Sequence, residues 1–308
     1  MLRKRLLAAT VMVTFIALTI VLDWQMHLRG KQYIPGALLL VLLVTALGCR
    51  EFYAMATTEA DVPARWLGTV VALLTATVIW LLSVGPKIGE AELAMSSDTI
   101  RRLWEVARHP GALALCLGVA LSVFFVYRMT RSSPAGTVVS VAVTLGGVVY
   151  VGVLTSFVTL IAALPNEGPL RLASFLTVVK GADVGAYFVG RWLGRHPMIP
   201  WVSPKKTWEG FAGAVVTAVL IAWGLGEIWS RIPGGSALLW WQRIIFGVVV
   251  ATFGHFGDLC ESMMKRDMHK KDSGADVPGF GGVLDVIDSP LIAGPFAFLM
   301  LVVFQSTA

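Results

Sequence analysis

The sequence predicts an all-α, polytopic integral membrane protein with about nine transmembrane helices, and three observations carry that expectation. Of 308 residues, 56% are hydrophobic and only 14% are charged, against roughly 25% charged in an ordinary soluble domain. Mean hydropathy is +0.75. Apolar runs long enough to cross a hydrocarbon core of ~30 Å, which takes about 20 helical residues, recur along the whole chain. A soluble globule is excluded. The net charge of +6 and the pI near 9.4 do not point to nucleic acid, because the basic residues fall in short connections between apolar runs, where orientation bias explains them.

The spans follow in order. Met1 to Arg5 is basic and feeds the run Leu6 to Leu22, which continues into Asp23-Trp24-Gln25 and offers no small-residue cleavage site, so it is expected to be a retained first span. Further runs cover about Tyr33 to Cys49, Trp66 to Gly85, Gly111 to Tyr127, Gly136 to Leu164, Leu170 to Val189, Phe211 to Trp229, Leu238 to Phe256 and Pro290 to Phe304. At about 1.5 Å per residue, Gly136 to Leu164 suits either a strongly tilted helix or a span plus a re-entrant piece. Residues 1–165 are thus expected to form a scaffold of about five spans, and residues 166–308 to form C-terminal membrane helices that carry the chemistry. Cys49, Cys116 and Cys260 lie far apart without metal-ligand spacing, and are read as small apolar packing residues. The five histidines show no ligand spacing either, and the tryptophans cluster at span ends, as interfacial anchors do.

Arg3, Lys4 and Arg5 place the N-terminus in the cytoplasm, and counting across puts Arg128, Arg131, the stretch Arg191 to Lys206 and the cluster Lys265 to Lys271 on the same side. Arg29 and Lys31 go against this bias. Independently of the total count, the connections Arg191 to Gly210 and Gly257 to Asp288 are separated by two spans and must face the same compartment.

Chemistry-bearing residues concentrate there. Asp183 sits within an apolar run, where an ionisable group costs roughly 2.5 kcal/mol or more, so it is expected to face protein, water or a metal. The plainer alternative is a pair with Lys180, three residues earlier on the same helical face. Ser203-Pro204-Lys205-Lys206-Thr207 offers hydroxyls, two cations and a helix start at Thr207 with Glu209 in the first turn, an arrangement suited to phosphate. The same lysines would also satisfy the orientation bias alone.

In the second connection, if Asp258 opens a helix, then Asp258, Glu261, Ser262 and Lys265 share one wholly polar face. Asp285 and Asp288 fall one turn apart if helical, with side chains within roughly 5 to 6 Å, close enough to share a hard cation or to serve two ions about 4 Å apart. Alternatively, Ser289 as cap and Pro290 at the first helical position would start the last span, leaving both aspartates in the turn that enters it. Apolar Val283, Leu284, Val286 and Ile287 embed the two aspartates, and charges held against apolar surface need a partner; oxygen ligands favour a magnesium ion carrying phosphates. The turn Gly279 to Gly282 can present backbone N–H groups to an anion.

Taken together, Ser262-x-x-Lys265-Arg266, Lys271-Asp272-x-Gly274 and Pro278-Gly279-x-Gly281-Gly282-x-x-Asp285-x-x-Asp288-Ser289 closely resemble the signature of phosphatidate cytidylyltransferases, also called CDP-diacylglycerol synthases. The blocks Asp183-x-Gly185-Ala186-Tyr187-Phe188-x-Gly190-Arg191 and Ser203 to Gly210 resemble that family's upstream motifs, in the same order. The resemblance covers the C-terminal half with specific motifs and the N-terminal half through hydropathy alone. Two positions depart from the family pattern: Phe280 stands where the family has His, and Val286 where it has Arg.

The resemblance implies a nucleotidyltransferase of phospholipid biosynthesis, in which CTP and phosphatidate give CDP-diacylglycerol and pyrophosphate. It implies a multi-pass protein of the inner (cytoplasmic) membrane with its active site facing the cytoplasm, the bilayer, CTP and phosphatidate as partners, no nucleic acid, and a homodimer as an allowed assembly. Mg2+ is the expected cofactor, with Asp285 and Asp288 as ligands and Asp258 and Asp183 as further candidates. Lys265, Arg266 and Lys271 join the two aspartates as the catalytic set, while Ser203, Lys205, Lys206, Thr207, Ser262, Gly281 and Gly282 are expected to bind substrate phosphates. Two other readings stay open: a CTP-dependent kinase of a lipid alcohol, whose neutral acceptor would call for a base, and a catalytically impaired lipid-binding or transport protein, for which the sequence offers no internal repeat.

Overall fold

The apolar runs form helices along the chain in the computed structural model, which describes residues 2–29, 34–57, 63–84, 106, 109, 111–131, 133–165, 167–232, 238–270, 273–274 and 282–306. They are α1 (Leu2–Leu28), α2 (Pro35–Met55), α3 (Arg65–Val84), α4 (Ala112–Met129), α5 (Thr137–Gly147), α6 (Leu154–Ala162), α7 (Gly168–Leu193), α8 (Trp208–Trp229), α9 (Trp240–Asp267) and α10 (Leu284–Ser306). A π-helical segment, Val148–Val153, joins α5 to α6, so that Thr137–Ala162 is one membrane span rather than a span plus a re-entrant piece. Among the described residues, nine spans are long and apolar enough to cross a membrane, as the sequence predicts. The π segment shifts the carbonyl pattern. Two side-chain hydroxyls answer it, with Thr155 Oγ1 donating to Val151 O and Ser156 Oγ donating to Gly152 O at 2.5 Å.

Two packed clusters meet on α10. One brings Phe175, Val178 and Val179 of α7 against Ala214 and Ala218 of α8, Phe246 and Val250 of α9, and Ala293, Ala297 and Leu301 of α10. Small residues let these backbones approach closely, the packing solution available where lipid removes the hydrophobic drive between helices. The other gathers Cys49, Phe52 and Tyr53 of α2, Ala72 of α3, Phe124 of α4 and Val148, together with Leu284 and Leu291 of α10. Tyr53 donates to Thr144 O at 2.7 Å, and its ring fills the space over Gly68 and Gly147, where a Cβ would collide with it. The three cysteines are free, as expected of packing residues.

Several element ends differ from the sequence-based expectation. The first span is longer than Leu6 to Leu22: α1 continues through Asp23, which is buried. Asp23 Oδ1 and Oδ2 accept from Gly36 N and Ala37 N at 2.7 Å each, so a carboxylate on α1 caps the start of α2. The second span runs past Cys49 to Met55. Asp258 does not open a helix but lies inside α9, which extends to Asp267 and ends with Lys265 and Arg266 in its last turn, where cations complement the helix dipole. The last span starts at Leu284 rather than at Pro290, so Asp285 and Asp288 are helical and Pro290 and Pro295 lie inside α10. Between α7 and α8 the chain forms a short antiparallel hairpin of β1 (Pro197–Ile199) and β2 (Ser203–Thr207), which sequence periodicity does not reveal.

The Asp23 contacts generate a stability prediction. Asp23→Ala leaves two buried N–H groups at the start of α2 without their acceptor and is expected to cost about 1 to 2 kcal/mol, read as a lower midpoint of thermal unfolding in detergent. Asp23→Asn, which keeps one acceptor oxygen, should lose less.

Candidate active site

The hairpin is fixed to the start of α8 by two side chains. Thr207 Oγ1 accepts from Gly210 N at 3.1 Å, the N-cap expected from the sequence. Glu209 accepts from Arg195 N at 3.0 Å and His196 N at 3.2 Å, and His196 Nδ1 lies 2.5 Å from its other oxygen. With β2 anchored in this way, Lys206 reaches across to α9, where its Nζ lies 2.8 Å from Asp258 Oδ1. Arg266 adds a second tie, its Nε donating to Val202 O at 3.4 Å. The two connections thus meet, as their shared compartment requires.

From α9, Asp258, Glu261, Ser262 and Lys265 share the face that their spacing predicts. Ser262 Oγ donates to Asp258 Oδ1 at 3.5 Å. Lys265 Nζ donates to Glu261 Oε2 and to Asp285 Oδ1, both at 2.8 Å, and so bridges α9 to α10. The second oxygen of Asp285 accepts from Gly282 N at 2.7 Å. Asp288 turns away from Asp285: its Oδ1 accepts from Ser289 N at 2.6 Å, and it forms a compact acidic group with Asp258 and Glu261, one ligand oxygen of each lying within 4.8 Å of the others. Glu261 and Asp288 are 1% and 5% exposed, and Glu261 Oε1 is buried without a hydrogen-bond partner among the described residues. Three carboxylates packed together repel, and such a group could hold a metal ion.

Asp183 lies next to this group. Lys180 Nζ donates to it at 2.9 Å, the pair that the sequence offered as the plainer alternative, while Ser289 Oγ donates to its other oxygen at 3.1 Å. The sequence-predicted residues Asp183, Asp258, Asp285, Asp288, Lys206, Lys265, Ser262 and Gly282 therefore belong to one contact network. Ser203 and Lys205 sit on β2 beside it, Lys205 exposed. Lys271 and Gly281, together with Phe280, lie outside the described residues. Val286, where the family pattern has Arg, faces an apolar cavity beneath the network rather than the charges.

Two residues escaped the sequence analysis as site residues. Glu261 was visible on the polar face of α9, three residues from Asp258, but nothing local distinguishes it from a partner of Lys265. Glu51 gives only one signal, an ionisable group at the end of an apolar run. Buried at 2% exposure, it accepts from Val283 N at 2.7 Å, Leu284 N at 2.8 Å and Ser273 Oγ at 3.4 Å, and so caps α10 from more than 200 residues away in sequence. The turn that carries Asp285 and Asp288 is positioned by a helix of the N-terminal half.

The sequence profile described as the Cytidylyltransferase family matches residues 3–304. The chain belongs to that family. Among its curated relatives, the phosphatidate cytidylyltransferase of Bacillus subtilis (strain 168) is 36% identical over 157 residues, 51% of this chain and 56% of the relative. That of Haemophilus influenzae is 40% identical over 132 residues, 43% of this chain and 46% of the relative. That of Chlamydia pneumoniae is 33% identical over 223 residues, 70% of this chain and 71% of the relative. The chain spans about half the length of the first two relatives and more of the third. The family match reaches through the N-terminal half, where Glu51 lies and where the motifs alone are silent.

Because Glu51 accepts two backbone N–H groups, that of Leu284 buried and that of Val283 partly buried, Glu51→Ala is expected to cost about 1 to 3 kcal/mol. Thermal unfolding in detergent measures it, and Glu51→Gln, which retains one acceptor oxygen, should keep part of the stability.

Proposed function

We propose that the protein transfers the cytidylyl group of CTP to phosphatidate, giving CDP-diacylglycerol and pyrophosphate. The observation that carries this reading is the juxtaposition of the Asp258, Glu261 and Asp288 carboxylates with Lys206 and Lys265 at the ends of membrane-spanning helices, in a chain whose relatives bear the name of that activity. An oxygen of the phosphatidate phosphate attacks the α-phosphorus of CTP, one P–O bond forms, the bond from that phosphorus to the bridging oxygen breaks, and pyrophosphate leaves. The attacking phosphate monoester has a second pKa of about 6 and is largely dianionic at neutral pH, so no side chain has to remove a proton. What the protein must supply is in-line positioning and neutralisation between two polyanions.

The side chains suit that task. Lys206 and Lys265 are each held by carboxylates on a neighbouring element, which fixes their ammonium groups where phosphates would lie. Ser203, Lys205 and Thr207 lie on β2 with Lys206, and Arg266 follows Lys265 on α9. Asp285 serves as the orienting partner of Lys265. Asp258, Glu261 and Asp288 offer oxygen donors only, a set that fits a hard divalent cation, and Glu261 Oε1, which has no hydrogen-bond partner among the described residues, fits it too. These three residues would hold Mg2+, which when bound supplies charge neutralisation at the phosphates. The basic residues at this end of the bundle favour the cytoplasmic side of the inner membrane, so that CTP arrives from the cytosol and the lipid from the leaflet.

Purified protein supplied with Mg2+, phosphatidate and CTP labelled at the α-phosphorus is expected to place label in the lipid. A lipid-alcohol kinase would leave the label in the nucleotide, and that outcome overturns the proposal. Glu261→Gln and Asp288→Asn are each expected to lower kcat/KM by about 100-fold or more, the scale of losing a charge-stabilising group in a water-poor site. Chelation with EDTA should abolish turnover, and added Mg2+ should restore it.

A further inference from the structure

Directly beneath the charged network lies a cavity of about 470 Å3, walled by Ile16 of α1, Leu40 of α2, Leu154 and Phe157 of α6, Leu176 of α7 and Leu291 of α10, among other apolar residues. Its lining includes two hydroxyls, and both are consumed by their own helices: Thr155 Oγ1 donates to Val151 O, and Thr177 Oγ1 donates to Ala173 O. The charged group among the described lining residues is Lys180, whose ammonium pairs with Asp183. On α10 the wall residues Val286, Ile287, Pro290 and Leu291 alternate in sequence with Asp285, Asp288 and Ser289. The same two turns therefore present carboxylates on one face and an apolar wall on another. A pocket with so little polar lining selects an apolar occupant, while the cation at its charged end selects one that carries an anion.

We propose that this cavity seats one of the two acyl chains of the phosphatidate substrate, with Lys180 at its entrance and Ala173 setting its depth along α7. The inference rests on the proposed reaction and deepens it by assigning the lipid tail. A cavity of about 470 Å3 falls within the roughly 300 to 1,000 Å3 of sites that hold small ligands, a size suited to an alkyl chain. The second chain stays in the surrounding bilayer. Ala173 is the α7 lining residue farthest from Lys180, seven positions away, or about 10 Å along the helix axis. A larger side chain there would shorten the cavity without touching the charged network.

Two measurements test this. In the first, wild-type protein in nanodiscs is irradiated, without CTP, in the presence of phosphatidate carrying a diazirine in one acyl chain. Labelling is expected on the α1, α6 and α7 segments that line the cavity, and excess unlabelled phosphatidate should suppress it. Equal labelling by phosphatidylcholine bearing the same chain would make the occupant a bulk lipid, and label confined to other segments would place the tail elsewhere; either overturns the proposal. In the second, Ala173→Phe is expected to lower kcat/KM for dipalmitoyl phosphatidate about tenfold while changing that for dioctanoyl phosphatidate less than twofold. No change with either substrate overturns the depth assignment, as does an equal loss with both by a variant whose thermal midpoint is unaltered. A variant that fails to fold leaves the decision to the wild-type labelling. Should the wild type form no CDP-lipid from any phosphatidate, the reaction fails while the labelling still reports on the cavity.

Discussion

Charge neutralisation at one end of a helix bundle is the constraint on which the arrangement depends. Asp183, Asp258, Glu261 and Asp285 pair directly with Lys180, Lys206 and Lys265, and Asp288 packs against Asp258 and Glu261, so within this network five carboxylates are set against three ammonium groups. Near a bilayer each of these charges is costly unless it is paired. Beside the pairs within single helices, Lys180 with Asp183 and Glu261 with Lys265, other contacts run between elements: Lys206 joins the hairpin to α9, Lys265 joins α9 to α10, and Ser289 joins α10 to α7. Fixing the charges thus also fixes the relative heights of three helices and the hairpin. Among the described residues, the excess of carboxylates over ammonium groups is concentrated where Asp258, Glu261 and Asp288 converge.

Backbone groups obey the same rule. Two helix starts in this chain are capped by carboxylates from other helices: α2 by Asp23 and α10 by Glu51. Helix N-termini in water can leave their first N–H groups to solvent. Against apolar surroundings they need an acceptor, and a carboxylate also complements the positive end of the helix dipole. Glu51 makes the catalytic-motif turn depend on α2, and so ties the C-terminal motifs to the scaffold before them.

What could be read in the sequence follows from the physics of each feature. The spans were legible because a hydrocarbon core demands about 20 apolar residues whatever the tertiary context. Their ends were not, because α9 goes on for about three turns after its apolar run, held by pairs such as Glu261 with Lys265 that hydropathy does not register. The convergence of the two connections was legible from topology, since two intervening spans return the chain to the same face. The division of labour between Asp285 and Asp288 was not legible: one turn of spacing suggests a shared ion, and only the position of Lys265 separates a lysine-held carboxylate from one in the acidic group. Glu51 could not have been paired with α10 from spacing, because the contact joins residues 232 positions apart.

The prolines inside α10 carry a mechanical consequence. Pro290 and Pro295 have no N–H, so the carbonyls of Val286 and Leu291 lose their usual donors one turn later. Both of those residues line the apolar cavity. The helix can therefore flex at two levels along that wall without breaking a backbone hydrogen bond, whereas the first turn, gripped by Glu51 and Lys265, stays rigid. Stiffness and compliance are divided along a single rod: the end that holds the charges is clamped, and the stretch that faces the hydrocarbon is sprung.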